Sequence, residues 1–179
     1  MILKKSIPAI FTISILCSLG FGIPSRIEKM VTKEVHKVFK SNEVIFKTIT
    51  VADSLNAQLP VKITSDNFQK VTKGNTLLGY YFVDKAPSKT AEFDYLVIFN
   101  SNLEIIHSKI LIYREEYGGE IGSKRWLKQF IGLTGKDRVS YETNIDGIAG
   151  ATISVRSMTI AMDNLLHTVG ILQKKQFFE

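Results

Sequence analysis

Three short apolar segments joined by turn residues constrain the fold of this chain most. Residues 77–84, 95–99 and 105–113 are rich in β-branched and aromatic side chains and predict three strands. The turn-like sequences 85–88 and 100–102 separate them, and connections this short join antiparallel neighbours. The central part of the chain is therefore predicted to form an antiparallel meander.

Helical patterns lie on both sides of these strands in the sequence. Residues 152–171 have an apolar face with a period of about 3.6 residues, which predicts a long amphipathic helix, and residues 25–39 show the same spacing. Shorter segments predict a strand at 44–51, a helix at 123–130 and a strand at 138–141. We therefore expect an α+β fold in which an antiparallel β-sheet carries its helices on one face.

The N-terminus has the pattern of an export signal. Lys4 and Lys5 precede residues 6–23, which contain no charged side chain and include small residues toward their end. The run is about the shortest that spans a bilayer, so a cleaved signal peptide and a retained anchor helix both stay open. In either case we expect the remainder of the chain on the extracytoplasmic (periplasmic) side of the membrane.

Composition argues against several kinds of site. The single cysteine, Cys17, lies in the apolar run, so the rest of the chain has no thiol for a disulfide, a metal site or a nucleophile. The three histidines lack metal-ligand spacing, and no metal site is predicted. The net charge of +6 is spread along the chain without a nucleic-acid-binding motif, so no nucleic-acid partner is predicted.

Residues 146–152, Asp-Gly-Ile-Ala-Gly-Ala-Thr, place small residues and a hydroxyl directly before the last predicted helix. Gly150 and Ala151 allow another molecule to approach the backbone closely. The free N–H groups at the start of a helix attract phosphates, and Thr152 supplies a hydroxyl beside them. An N-cap threonine that needs no ligand explains the same pattern, and these residues alone leave both interpretations open.

The same segment resembles the flavin-attachment motif of the FMN-binding domain family. This family includes the G subunit of Rnf electron-transport complexes and the C subunit of sodium-pumping NADH:quinone oxidoreductases. Its pattern is Asp, two variable residues, Ser or Thr, Gly, Ala, Thr, and it matches at Asp146, Gly150, Ala151 and Thr152. Ala149 departs from the pattern, which removes a hydroxyl close to the acceptor.

A second stretch supports the resemblance. Residues 113–121 and 125–130 resemble the loop and helix that lie next to the flavin in this family, and the likeness covers about residues 75–172. The residues predicted to contact the flavin there are Tyr117, Gly118, Gly119 and Trp126. For the two aromatic residues a second interpretation stays open, a surface position for Tyr117 and a core position for Trp126.

The resemblance implies that FMN is joined to Thr152 through a phosphoester bond, which a dedicated flavin transferase makes from FAD outside the cytoplasm. It predicts an electron-transfer component rather than a stand-alone enzyme, which relays electrons between a membrane redox partner and an acceptor. Ser154 is a weaker candidate for the acceptor. We expect Asp146 to order the turn through backbone N–H groups, and Arg156 to balance the phosphate charge.

These predictions divide the chain into a signal peptide or anchor at 1–23, a helix and strand segment at 24–70 and an FMN-binding domain at 71–179. Two other functions stay open. One is a non-redox exported binding module that holds a phosphate or carboxylate ligand at the Gly-Ala-Thr turn. The other is a structural accessory domain of a membrane complex.

Overall fold

The strands of the predicted meander form one antiparallel sheet. In the computed structural model, which describes residues 25–178, this sheet has five strands in the order β1-β2-β3-β4-β5, and all neighbours are antiparallel. The strands are β1 Ile45–Thr48, β2 Phe68–Lys73, β3 Thr76–Pro87, β4 Glu92–Asn100 and β5 Ile105–Ile112. The α+β class and the antiparallel sheet are confirmed. The predicted signal or anchor segment lies outside the described residues.

Three of the four helices that the structure describes agree with the predicted positions. The four helices are α1 Arg26–Phe39, α2 Asp53–Asn56, α3 Lys124–Leu127 and α4 Thr152–Lys174, with 3-10 turns at Gly119–Gly122 and Lys128–Phe130. The three that agree are α1, α3 and α4. A capping box between Ser25 and Glu28 begins α1, which explains why this helix starts where it does. None of the helices between residues 25 and 178 combines the length and the apolar character needed to cross a bilayer.

Three local predictions were wrong. The sequence patterns missed β2, which pairs with β3 across a tight turn at Gly74. The turn predicted at 85–88 lies mostly within β3, because the chain reverses at residues 88–91, where the Ser88 N–H donates to the Ala91 carbonyl. The strand predicted at 138–141 does not form, because the Val139 N–H donates to the Asp163 carboxylate of α4 instead of to a neighbouring strand.

Helices cover both faces of the sheet, so the prediction of helices on one face was also wrong. One face packs Phe68, Tyr80, Phe82 and Phe99 against the apolar side of α4. The other face packs Val71, Tyr81, Leu96 and Ile98 against Val31 and Val35 of α1. The reason lies in β4, whose residues from Phe93 to Phe99 are all buried, so that both of its faces need a cover.

The sheet joins residues from both sides of the predicted boundary between 70 and 71. That boundary falls inside β2, and β1 and β2 extend the same sheet as β3, β4 and β5. The sheet also fixes where a site forms. The turn after β3, the loop after β5 and the first turn of α4 lie together at one end, where the Ser157 hydroxyl donates to the Pro87 carbonyl.

Candidate functional site

A cavity of about 670 Å³ lies where the turn after β3, the loop after β5 and the start of α4 meet. A volume of this size suits an organic cofactor or ligand. The turn contributes Lys89 and Thr90, the loop contributes Tyr113, Arg114, Glu115, Glu116, Tyr117 and Gly118, and the start of α4 contributes Gly150, Ala151, Thr152, Ile153 and Ser154.

The chain enters α4 through a tight turn. The Ala151 N–H donates to the Ile148 carbonyl at 3.1 Å, and Gly150 has a φ of +83° at the third position of the turn. A type II turn requires a positive φ at this position, which glycine adopts without strain. A Cβ built on Gly150 would meet nothing within 4 Å, so the surface outside the turn is open to a ligand.

The first turn of α4 has backbone N–H groups that no side chain caps. Ala151 is the N-cap residue, so no side-chain oxygen caps the helix, and the first turn contains no acidic residue. Thr152 is the first helical residue and is exposed. The interpretation of Thr152 as an N-cap residue was therefore wrong. An uncapped N-terminus beside a free hydroxyl has the chemistry to bind a phosphate group.

One hydroxyl pair ties the loop after β5 to α4. The Tyr113 hydroxyl lies 2.9 Å from the Tyr117 carbonyl oxygen and 2.9 Å from the Ser154 Oγ. A carbonyl only accepts, so Tyr113 donates to Tyr117 and accepts from Ser154. Ser154 is buried and its proton is engaged, which makes it a poor alternative to Thr152 as an acceptor of a transferred group.

A carboxylate ties the same loop to the turn after β3. The Glu115 Oε1 accepts hydrogen bonds from the Thr90 N–H at 2.5 Å, the Thr90 hydroxyl at 2.9 Å and the Ala91 N–H at 3.0 Å. These donors, the Thr90 N–H above all, lower the pKa of Glu115 to about 2. The loop after β5 and the turn after β3, two of the three walls of the cavity, are thereby fixed relative to each other.

The cations near the cavity differ in whether an acidic side chain already pairs with them. Arg114 forms an ion pair with the buried Asp94 and donates to the Glu92 carbonyl, so its charge is already balanced. Lys89 is exposed and forms no ion pair among residues 25–178. Arg156, expected to balance a phosphate, instead lies 4.4 Å above the ring centre of Tyr141 and does not line the cavity.

The structure brings five of the eight predicted site residues together. These are Tyr117, Gly118, Gly150, Ala151 and Thr152. Tyr117 is 81% exposed at the rim, and Gly118 has a φ of +88°, with the Tyr113 hydroxyl 2.5 Å from where a Cβ would stand. Gly119 follows in the 3-10 turn, outside the lining.

The other two predicted residues support the cavity from behind. Trp126 is buried in the core against Phe130, and its Nε1 donates to the Asp146 carbonyl at 2.7 Å. The Asp146 N–H donates to the Gln129 side-chain oxygen at 2.8 Å. The Asp146 carboxylate is exposed and makes no hydrogen bond to another described residue, so the backbone of Asp146, and not its side chain, orders the segment.

Sequence reasoning missed several residues of the site. Lys89 and Thr90 carry no local signal, because only the pairing of β3 with β4 brings their turn to α4. Tyr113 and Glu115 lie within the stretch that carries the family resemblance, yet their roles depend on partners distant in the sequence.

Comparison with known proteins bears on the same part of the chain. The family model described as the FMN-binding domain matches residues 90–167, from the turn after β3 to the middle of α4. Residues 90–167 belong to the FMN-binding domain family. The chain is thus a flavin-binding protein, and the matched segment contains the loop after β5, the Gly-Ala-Thr turn and most of the cavity wall. A search of curated proteins found no match.

The cavity residues fit FMN. The uncapped N-terminus of α4 suits the phosphate, as does Lys89, which forms no ion pair with another described residue. Of the two acids in the wall, Glu115 is already engaged by hydrogen bonds from Thr90 and Ala91. The exposed ring of Tyr117 and the half-exposed side chain of Ile153 offer apolar surface for a planar ring system. The two ends of FMN therefore have matching chemistry within one cavity.

Proposed function

We propose that this chain is an extracytoplasmic electron-transfer flavoprotein that carries FMN on the Thr152 hydroxyl through a phosphoester bond. The observation that carries the proposal is the position of Thr152. Its exposed hydroxyl lies at the first position of an uncapped helix, on the wall of the cavity and inside the segment that matches the FMN-binding domain. Ser154, the other hydroxyl of this turn, is buried and engaged by Tyr113.

The attachment balances as a phosphoryl transfer from FAD. The Thr152 hydroxyl loses its proton and takes the FMN phosphoryl group, the bond between the two phosphates of FAD breaks, and AMP leaves. The resulting diester retains about one negative charge, which the N–H groups of the first turn of α4 and the Lys89 amine are placed to balance. A flavin transferase is the partner that this step requires.

The residues of the cavity then hold and orient the cofactor. FMN supplies the capacity to accept and release one or two electrons. Tyr117 and Ile153 present exposed apolar surface to its ring system, and Gly118 keeps the backbone of the loop close to Tyr113. The fixed loop keeps the ring in one position, which favours transfer to and from a membrane redox partner. A covalent link suits a compartment where lost cofactor is not readily replaced.

The acceptor is tested by intact-protein mass spectrometry. The chain is produced together with a competent flavin transferase, purified and denatured. We expect the native sequence to gain the mass of FMN minus one water, and Thr152→Ala to show the bare polypeptide mass. Ser154→Ala is the matched control, because it removes the neighbouring hydroxyl of the same helical turn, and it should keep the adduct.

Two outcomes would contradict the proposal. An adduct that persists in Thr152→Ala and disappears in Ser154→Ala would move the attachment to Ser154. A native chain of bare mass that nevertheless binds inorganic phosphate or a carboxylate reversibly would support the non-redox binding module. Electron transfer is tested separately. Membranes of the producing cell, supplied with their electron donor, should reduce the flavin of the native chain and so bleach its absorbance.

A further inference from the structure

The outward side of α1 carries a straight row of cations, which we call the cation stripe. Arg26, Lys29, Lys33 and Lys37 are all exposed. Their spacing of three or four residues places them along one side of the helix. The side of α1 that packs on the sheet lies opposite, so the stripe faces away from the protein.

The charge of the cation stripe is not balanced within the part of the chain that the structure describes. None of its four residues forms an ion pair there. The two acids of α1 are used elsewhere, because Glu28 completes the capping box with Ser25 and Glu34 is buried against Lys109. The outward side of this helix therefore presents positive charge alone.

A shallow groove of about 590 Å³ runs beside the stripe. Its lining consists of Lys29, Thr32, Lys33, His36, Lys37 and Asn42. This set contains three ammonium groups, a hydroxyl and an amide, and it contains no acid. Such donors suit phosphate oxygens.

We propose that the cation stripe binds an anionic phospholipid surface, with headgroup phosphates in this groove. The stripe begins shortly after the uncharged run 6–23, whose length is about that of a membrane-spanning segment. In a chain that retains this run as an anchor, the cations of the stripe follow it at the level of the headgroups. The row from Arg26 to Lys37 is about 17 Å long on one helix, which matches a flat surface. The apolar side of α1 lies in the core, so the contact depends on charge and weakens with salt.

The flavin cavity lies at the end of the sheet where α1 begins. Ile27 and Glu28, in the first turns of α1, line a groove that also contains Asp94. Asp94 in turn pairs with Arg114 on the wall of the flavin cavity. Lipid binding itself does not depend on flavin attachment, because α1 and α4 lie on opposite faces of the sheet.

The test uses the full chain with vesicles of phosphatidylcholine alone, or of phosphatidylcholine and phosphatidylglycerol in equal parts. A water-soluble acylating reagent labels exposed amines, and mass spectrometry reports each site. We expect several-fold slower labelling of Lys29, Lys33 and Lys37 on the anionic vesicles, with the protection lost at high salt. Lys174 and Lys175, exposed at the far end of α4, serve as internal controls and should label equally on both.

Lysine variants distinguish binding through the cation stripe from binding through the total positive charge of the protein. Replacing Lys29, Lys33 and Lys37 by Gln should weaken sedimentation with the anionic vesicles, relative to neutral ones, several-fold. The matched control replaces Lys136, Lys174 and Lys175 by Gln, removes the same charge and should bind as the native chain does. The inference would be overturned if the stripe lysines were labelled equally on both kinds of vesicle, or if both variants lost the same amount of vesicle binding. It would also be overturned if duplex DNA without lipid protected the stripe lysines to the same extent. Thr152→Ala should keep the protection whatever happens to the flavin.

Discussion

The Tyr113 hydroxyl lies 2.9 Å from the Ser154 Oγ and so joins the loop after β5 to the first turn of α4. The same hydroxyl donates to the Tyr117 carbonyl at 2.9 Å, which fixes the backbone of the residue that offers its ring to the cavity. The Tyr113 hydroxyl thus fixes the proposed ring contact, Tyr117, relative to the proposed attachment point, Thr152, which lies two residues before Ser154.

Removing this hydroxyl should loosen the cavity. Tyr113→Phe leaves the buried Ser154 hydroxyl without its acceptor, and we expect a loss of about 1–2 kcal/mol in the free energy of unfolding, measured with denaturant. Tyr141→Phe is the control, because Tyr141 is half-buried and its hydroxyl makes no hydrogen bond to another described residue. Equal stability of the two variants would mean that the Tyr113–Ser154 contact contributes nothing.

Two glycines with positive φ offer a paired test of the site's geometry. Gly150→Ala meets open space, so only the backbone conformation opposes it, at about 1 kcal/mol. Gly118→Ala has the same strain and also places its Cβ 2.5 Å from the Tyr113 hydroxyl, so we expect about 2–3 kcal/mol. Thermal or denaturant unfolding gives both values. A Gly150 variant that is the less stable of the two would contradict the described loop.

The Trp126 indole should hold the segment that leads into α4. Trp126→Phe removes the donor to the Asp146 carbonyl and some core volume, and we expect about 2 kcal/mol of destabilisation. It should also speed amide hydrogen exchange within residues 146–151. Phe130→Leu is the control, since Phe130 packs on Trp126 without bonding this segment. Faster exchange in both variants alike would assign the effect to packing and not to the hydrogen bond.

The sequence predicted most elements of the fold because their patterns are local. The period of 3.6 residues in α4 and the β-rich segments of β3, β4 and β5 are visible without knowledge of the fold. β2 was missed because its sequence, Phe-Gln-Lys-Val-Thr-Lys, has few apolar residues and a bulge interrupts its pairing with β3. The Gly74-Asn75 pair at the following turn is the hairpin signal that would have indicated it.

The position of α1 was not predictable from its own pattern. Its apolar side is plain in the sequence, but an amphipathic helix packs equally well on either face of a sheet. The unbroken apolar run in β4 was the only sign that both faces need a cover. In the site, the small residues and Thr152 were predictable from the local motif, whereas Lys89 comes to the cavity only through the pairing of β3 with β4.

The link between Glu115 and the turn after β3 should depend on pH. The pKa of Glu115 lies at about 2, below its ordinary value of 4.5, because the Thr90 N–H and its neighbours bind the charged form. A lowered pKa in the folded state means that the stabilisation is complete above pH 4.5 and is lost as the pH falls toward 2. The amide resonances of Thr90 and Ala91 should therefore shift together in this range, as followed by NMR.

Glu115→Gln should abolish this titration of the two amides and leave the loop more mobile at neutral pH, because a neutral amide accepts more weakly than a carboxylate. Glu116→Gln is the matched control, since Glu116 is the adjacent acid, is exposed and makes no hydrogen bond to another described residue. It should leave the shifts of Thr90 and Ala91 unchanged. Amides that keep titrating in Glu115→Gln would show that another group holds the turn against the loop.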